Sequence, residues 1–220
     1  MQLPLPRIKI CCITSWAEAE LAIHHQASAI GLVSEMPSGP GIIPETLIAE
    51  IAAMVPPAVS SFLLTSLQDS RAIAEQVIRC GTNSVQLCDR LMTGSYAELR
   101  AALPGVKIVQ VVHVRGEDAV ANAQAIADKV DGLLLDSGRP ADPRRELGGT
   151  GRIHDWSISR RICEMVDRPV FLAGGLRPEN VAAAIQQVRP FGVDVCSGVR
   201  TNGHLDEKKL AAFVQSVVVT

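Results

Sequence analysis

Eight short apolar runs recur along this chain, at about 8–13, 29–34, 59–65, 84–88, 107–113, 132–137, 169–174 and 192–197, and segments of helical pattern separate them. A short apolar run without alternation fits a strand buried on both faces, as in a parallel sheet covered by helices. Between the runs, Ile43, Leu47, Ile48, Ile51 and Met54 share one helical face, as do Val181, Ile185 and Val188, and then Leu210, Phe213, Val214 and Val217. Eight strand–helix pairs is the count of a closed barrel, so the predicted fold class is α/β, one (βα)8 TIM barrel of eight parallel strands over residues 1–220. The competing arrangement is an open, doubly wound sheet. Its Gly-rich turn after the first strand is missing, because that run leads into Thr14-Ser15-Trp16-Ala17-Glu18, where Thr14 or Ser15 is placed to cap a helix.

Composition agrees with that architecture. Hydrophobic residues make up 47% of the 220 and aromatics 3%, so the core must be built from Val, Ile, Leu and Ala. The net charge is −2 and no Lys/Arg cluster stands out, which leaves no electrostatic footprint for nucleic acid or an anionic membrane. The expected partner is therefore a small molecule. Met1-Gln2-Leu3-Pro4-Leu5-Pro6-Arg7 lacks the pattern of a signal peptide, and no segment reaches the roughly 18–20 apolar residues of a membrane span, so a cytoplasmic location is expected. Six cysteines (Cys11, Cys12, Cys80, Cys88, Cys163, Cys196) show no CxxC spacing, which argues against structural zinc and against a disulfide framework.

Two reactive groups stand at the C-terminal ends of apolar runs, where barrels keep their chemistry: Cys11 after the first and Asp136 after three leucines in the sixth. Facing each other across one pocket, they can move a proton off a carbon and onto a heteroatom. For Cys11 the alternative is a buried core thiol, and for Asp136 a turn residue opening the long 138–155 connection, whose length is typical of lids and binding loops. Strand alternation places Lys9 on the face of Cys11, and Asp194 on the eighth strand is its expected ionic partner. His113 and Arg115 end the fifth run and read as loop polarity, while His24 and His25 read as surface residues of the first helix. Glycine turns follow the last two runs, with Gly174 and Gly175 in one and Ser197 and Gly198 in the other; backbone N–H groups there form the phosphate cradle common in barrels.

Several stretches in order carry a family resemblance: Lys9-Ile10-Cys11-Cys12-Ile13-Thr14 against a KICGIT-like start, Val85-Gln86-Leu87, Leu134-Leu135-Asp136, Gly148-Gly149-Thr150-Gly151 with Asp155-Trp156, Leu172-Ala173-Gly174-Gly175-Leu176 with Pro178-Glu179-Asn180-Val181, and Gly192-Val193-Asp194-Val195-Cys196-Ser197-Gly198-Val199. Nearly end to end, the chain resembles phosphoribosylanthranilate isomerase, a barrel enzyme of tryptophan biosynthesis. The resemblance implies an Amadori rearrangement of N-(5-phosphoribosyl)anthranilate to the 1-deoxyribulose 5-phosphate aminoketose. Cys11 would be the general base at sugar C2 and Asp136 the general acid at the ring oxygen. Gly174, Gly175, Asp194, Ser197 and Gly198 would bind substrate, with no metal and no organic cofactor, in a monomer or homodimer.

Three departures cluster on the aglycone side. The family's Ser-x-Arg-x-aliphatic motif reads Ser38-Gly39-Pro40-Gly41-Ile42, so proline replaces an arginine that would grip a carboxylate. QLHG reads Gln86-Leu87-Cys88-Asp89, and the glycine after the base is Cys12. The sequence therefore admits an isomerase in which Arg115 or another cation replaces that arginine, one acting on a related N-phosphoribosyl amine, or a phosphosugar-binding barrel without turnover. A ribulose-phosphate epimerase-like barrel would want metal-binding His and Asp at several strand ends, which the sequence does not supply.

Overall fold

In a computed structural model that describes residues 5–138, 147–148 and 151–219, each apolar run forms a strand. They are β1 (Arg7–Ile10), β2 (Ala29–Val33), β3 (Ser60–Thr65), β4 (Ser84–Leu87), β5 (Lys107–His113), β6 (Gly132–Asp136), β7 (Val170–Leu172) and β8 (Gly192–Val195). All pair in parallel, each with the next, and β8 returns to β1 with Arg7 opposite Gly192 and Lys9 opposite Asp194. The sheet is therefore a closed barrel rather than the open alternative. Most of the 138–155 connection lies outside the described residues, including Arg139, Pro140, Gly149 and Thr150.

Among the described residues eight α-helices follow the strands: α1 (Trp16–His24), α2 (Glu45–Met54), α3 (Ser70–Cys80), α4 (Tyr96–Ala102), α5 (Asp118–Ala127), α6 (Trp156–Met165), α7 (Val181–Val188) and α8 (Glu207–Val218). Five of their starts are set by side chains that take an orphan N–H of the first turn. Ser15 accepts from Glu18 N, Asp69 from Ala72 N, Asp155 from Ser157 N and Asp206 from Lys209 N; Ser95 and Glu98 form a reciprocal capping box. The helical faces read from the sequence are buried against the barrel, except in the first: Ile43 is buried but lies ahead of α2, and Leu47 is half-buried. Met54, in the last turn of α2, is 46% exposed while Ile48 and Ile51 are fully covered. Among the described residues no helix is long and apolar enough to cross a membrane.

The core has two layers. Outward strand residues such as Ile8, Ile10, Leu133 and Leu135 pack beneath the helices, and inward ones such as Val33, Phe62, Leu64, Val109, Val111, Leu134 and Phe171 fill the barrel. Phe62 and Phe171 meet edge to face at 6.2 Å in the interior. Gly192 makes room for Phe171, since a Cβ there would stand 2.7 Å from its ring. A short hairpin of β9 (Arg200–Thr201) and β10 (His204–Leu205), absent from the sequence reading, links β8 to α8.

Candidate active site

Period-two alternation sends Lys9 and Cys11 inward from β1, and Leu134 and Asp136 inward from β6. Cys11 and Asp136 line one cavity, open to solvent, at the C-terminal end of the barrel. Cys11 is 5% exposed, more covered than a partly exposed thiol, yet it forms part of the cavity wall. Its N–H donates to Val195 O at 2.8 Å, extending the β1–β8 ladder one residue beyond the strand.

Beneath the cavity lies the anticipated ion pair. Lys9 Nζ is 2.8 Å from Asp194 Oδ1, fully buried, and 5.3 Å from the centre of the Phe62 ring. Burial works against the ammonium, but Asp194, Cys11 and Cys12 together hold the Lys9 pKa above the usual lysine value. Asp194, expected as a substrate-binding residue, does line the cavity, with one carboxylate oxygen engaged by Lys9.

Asp136 has the opposite environment. Burial pushes its carboxyl up to about 6, and the Asp194 charge adds to the rise, while the Ser137 N–H donated to Oδ1 at 2.7 Å opposes it. Glycines crowd this carboxyl: a Cβ at Gly148 would come within 2.7 Å of Oδ2, and one at Gly174, whose φ is +82°, within 3.2 Å of Oδ1. His154 borders Gly174 as well. Its Nε2 is 2.7 Å from Ser159 Oγ, and burial lowers its pKa to about 4, so the ring is neutral at physiological pH.

Two features of this site carry no signal in the sequence reading above. The first is Gly31 on β2, where a Cβ would stand 2.8 Å from Cys11 Sγ and 3.1 Å from Lys9 Nζ. A lone glycine inside Ala29-Ile30-Gly31-Leu32-Val33 was the available clue, because glycine within a strand marks a close approach. The second is Arg200, whose guanidinium donates to Cys11 O and Cys12 O and pairs with Glu18 at 2.9 Å. It fixes the backbone on either side of Cys12, and no local pattern reports a contact spanning more than 180 residues.

The glycine turns after β7 and β8 come together. Gly151, Gly175, Leu176, Arg177, Ser197, Gly198 and Lys209 border a cleft that shares Gly151, Gly175, Leu176 and Ser197 with the main cavity. Backbone packs on backbone there: a Cβ at Gly198 would stand 2.0 Å from Leu176 O, and one at Gly175, at φ +67°, would stand 2.8 Å from the Arg152 carbonyl carbon. Asn180 ties the β7 turn by accepting from Arg177 N and donating to Gly175 O, both at 2.9 Å. Arg177 and Lys209 bring positive charge to the edge, where Glu179 also stands with its Oε2 3.7 Å from Arg177 Nε.

The other side of the cavity is apolar. Val33, Met36, Pro40, Leu64, Cys88, Leu134 and Leu147 contribute to its wall, and among the described lining residues there is no Arg, Lys or His. Arg115 does not fill the place of the missing arginine, because it lines a separate cavity near β5 with Asp89, Tyr96 and His113. His113 is likewise no loose loop residue: its Nε2 lies 3.2 Å from Cys88 O, and burial lowers its pKa. Gln86 Oε1 is buried without a protein partner beside this wall.

A closed parallel barrel whose cavity joins a thiol, a buried carboxyl of raised pKa and a glycine-lined anion cleft has the make-up of a (βα)8 enzyme for proton transfer on a phosphorylated substrate. A family model described as N-(5'phosphoribosyl)anthranilate (PRA) isomerase matches residues 8–216, and the chain belongs to that family. The N-(5'-phosphoribosyl)anthranilate isomerase 2 of Methanosarcina mazei is 40% identical over 210 residues, 94% of this chain and 92% of that protein. A phosphoribosyl anthranilate isomerase solved with reduced 1-(o-carboxyphenylamino)-1-deoxyribulose 5-phosphate is 26% identical with a TM-score of 0.78, over 98% of this chain and all of the other. Monomers generated from the dimeric enzyme of Thermotoga maritima match with the same identity, TM-score and coverage.

Proposed function

We propose that this chain is an aldose–ketose isomerase that converts N-(5'-phosphoribosyl)anthranilate to its 1-deoxyribulose 5-phosphate aminoketose in tryptophan biosynthesis. The observation that carries the reading is the convergence of Cys11 and Asp136 on one cavity that runs into the Gly175–Ser197–Gly198 cleft. The 5'-phosphate sits in the cleft, held by backbone N–H groups with Arg177 and Lys209 at the edge, and the aromatic ring lies against the apolar wall.

Asp136 gives its proton to the furanose ring oxygen as the C1–O bond breaks, and the nitrogen lone pair forms a C1=N iminium. The Cys11 thiolate takes the C2 proton, and the electrons of that bond form C1=C2 while neutralising the iminium. The resulting enaminol tautomerises to the ketone. A carboxyl with a pKa near 6 suits the acid role, since it can be protonated and still release a proton near neutral pH. Each proton transfer supplies roughly 10²–10⁴-fold.

A second reading, isomerisation of a different N-phosphoribosyl amine, is favoured by one observation: the described cavity wall offers no cation to a carboxylate. An assay that generates phosphoribosylanthranilate in place and follows loss of its fluorescence separates the two, with Asp136→Asn and Cys11→Ser as controls. Turnover abolished in both controls supports the first reading; no turnover by folded protein supports the second. The remaining expectations, a cytoplasmic location and a monomer or homodimer, belong to the same proposal.

A further inference from the structure

Cys12 occupies an unfavourable position for a side chain. Its φ is +61°, a left-handed conformation that disfavours L-residues and suits glycine, the residue found there in the KICGIT-like pattern. The backbone is locked in this state by Arg200, which holds the carbonyls of Cys11 and Cys12 and is itself braced by Glu18. The consequence is directional: the Cys12 thiol turns toward β8, where its Sγ lies 2.8 Å from Cys196 Sγ.

We propose that Cys12 and Cys196 are a redox-active dithiol, a reversible modification site in the wall of the active cavity that closes to a disulfide under peroxide. The register that sets Ile10 opposite Val195 puts Cys11, not Cys12, level with Cys196, so it is the turned side chain of Cys12, one residue further along, that brings its sulfur to 2.8 Å from Cys196 Sγ. Both residues line the solvent-open cavity, so a small oxidant reaches them. Three of the other four thiols are less suited: Cys80 and Cys163 sit on outer helices with their pKa values pushed up to about 11 by burial, and Cys88 is pushed up further by burial; the fourth, Cys11, also meets the Cys12 thiol and is the competitor that disulfide mapping distinguishes. Cys196, by contrast, is lowered by its hydrogen bond with Cys12, with Arg200 adding to the effect.

The chemistry balances with hydrogen peroxide as the two-electron oxidant. The Cys196 thiolate attacks one peroxide oxygen, giving a sulfenic acid and hydroxide. The Cys12 sulfur then attacks the Cys196 sulfur, the S–S bond forms, and the sulfenic oxygen leaves as water. The proton first lost from Cys196 neutralises the hydroxide. Two thiols and one peroxide thus give one disulfide and two waters, and a dithiol reductant reverses the change by exchange. The bond joins the residue after Cys11 to the residue before Ser197, so it displaces the thiol of the proposed base and the β8 half of the anion cleft together.

Arrest of turnover rests on the proposed isomerase reading, whereas disulfide formation does not, and the test separates them. Full-length protein is treated with hydrogen peroxide, quenched with catalase, alkylated while denatured and mapped without reduction by mass spectrometry. The expected result is loss of two of the six thiols, a Cys12–Cys196 link that persists in Cys11→Ser and vanishes in Cys12→Gly and Cys196→Ser, and turnover that falls at least about tenfold and returns with dithiothreitol. An unchanged thiol count, a bond that includes Cys11, or a Cys12–Cys196 bond that leaves turnover intact would overturn the proposal. If the reduced protein turns over no phosphoribosylanthranilate, the thiol count and the map still decide whether the pair forms.

Discussion

Lys9 Nζ and Asp194 Oδ1 are 2.8 Å apart at the seam where the first strand meets the last, with the lysine wholly buried. A buried pair of this kind is weak support for stability as a unit, but either half alone is a buried charge without its partner. Asp194→Ala is expected to destabilise the fold by about 3–5 kcal/mol, and Lys9→Met with Asp194→Leu by clearly less. Urea denaturation of the three proteins tests this, and a double variant as unstable as Asp194→Ala would contradict it.

Gly31 is the space that Cys11 and Lys9 share. Gly31→Ala places a methyl 2.8 Å from the Cys11 sulfur, so that side chain must move. Overpacking of this sort costs about 1–3 kcal/mol. Stability is expected to fall within that range while kcat falls at least about tenfold, because the base is displaced from the sugar carbon. Unchanged kcat in folded Gly31→Ala would show that the position of Cys11 is not critical.

The raised pKa of Asp136 fixes two pH dependences. In the unfolded chain its carboxyl ionises near 3.8 and in the fold near 6, so between those values the folded state holds more protons and loses stability as pH rises. Asp136→Asn removes that loss. Its stability relative to the parent should be lowest near pH 4, climb through pH 6 and then level off, by on the order of 3 kcal/mol in all. Chemical denaturation at pH 4, 5, 6 and 7 measures the difference. In the parent, kcat/KM should decline above about pH 6 as the acid ionises.

Pro40 stands in the apolar wall at the position of the family's carboxylate-gripping arginine. With anthranilate as the native aglycone, Pro40→Arg should change KM by less than about threefold, because the ring is already seated by apolar contact. A fall of tenfold or more, the size of one charge-assisted hydrogen bond of about 1.5–3 kcal/mol, would instead favour another N-phosphoribosyl amine as the natural substrate.

The barrel was legible in the chain because burial on both faces writes each strand as a continuous apolar run. The strand ends were not. The runs at 8–13, 169–174 and 192–197 continue beyond Ile10, Leu172 and Val195, where the regular ladder gives way to single backbone bonds but several residues, such as Ile13 and Ala173, stay buried. Periodicity cannot separate a buried rim from a strand. Lys9 and Asp194 could be paired from the sequence because alternation and barrel closure leave them facing each other. Arg200 and the hairpin of β9 and β10 could not, since their meaning depends on which atoms arrive from distant segments, and Gly31 offered the clue of a glycine within a strand without naming the side chains that need its space. Arg115 shows the converse: a cation near the correct strand end belongs to the neighbouring cavity.

The seam has a consequence for biogenesis. Residue 9 leaves the ribosome 185 residues before residue 194, so throughout that interval the future ammonium of Lys9 lacks the carboxylate it meets in the closed interior. A nascent barrel lacking its eighth strand must keep that lysine wet or leave the chain open at the first strand, and contacts this distant in sequence form slowly. Closure therefore waits on the emergence of β8 and the residues just after it, which supply the counter-charge, the Arg200 brace on the Cys11 backbone and the β8 side of the anion cleft together. A circular permutant opened between β4 and β5 would make the seam a local contact, and should fold faster to the same barrel.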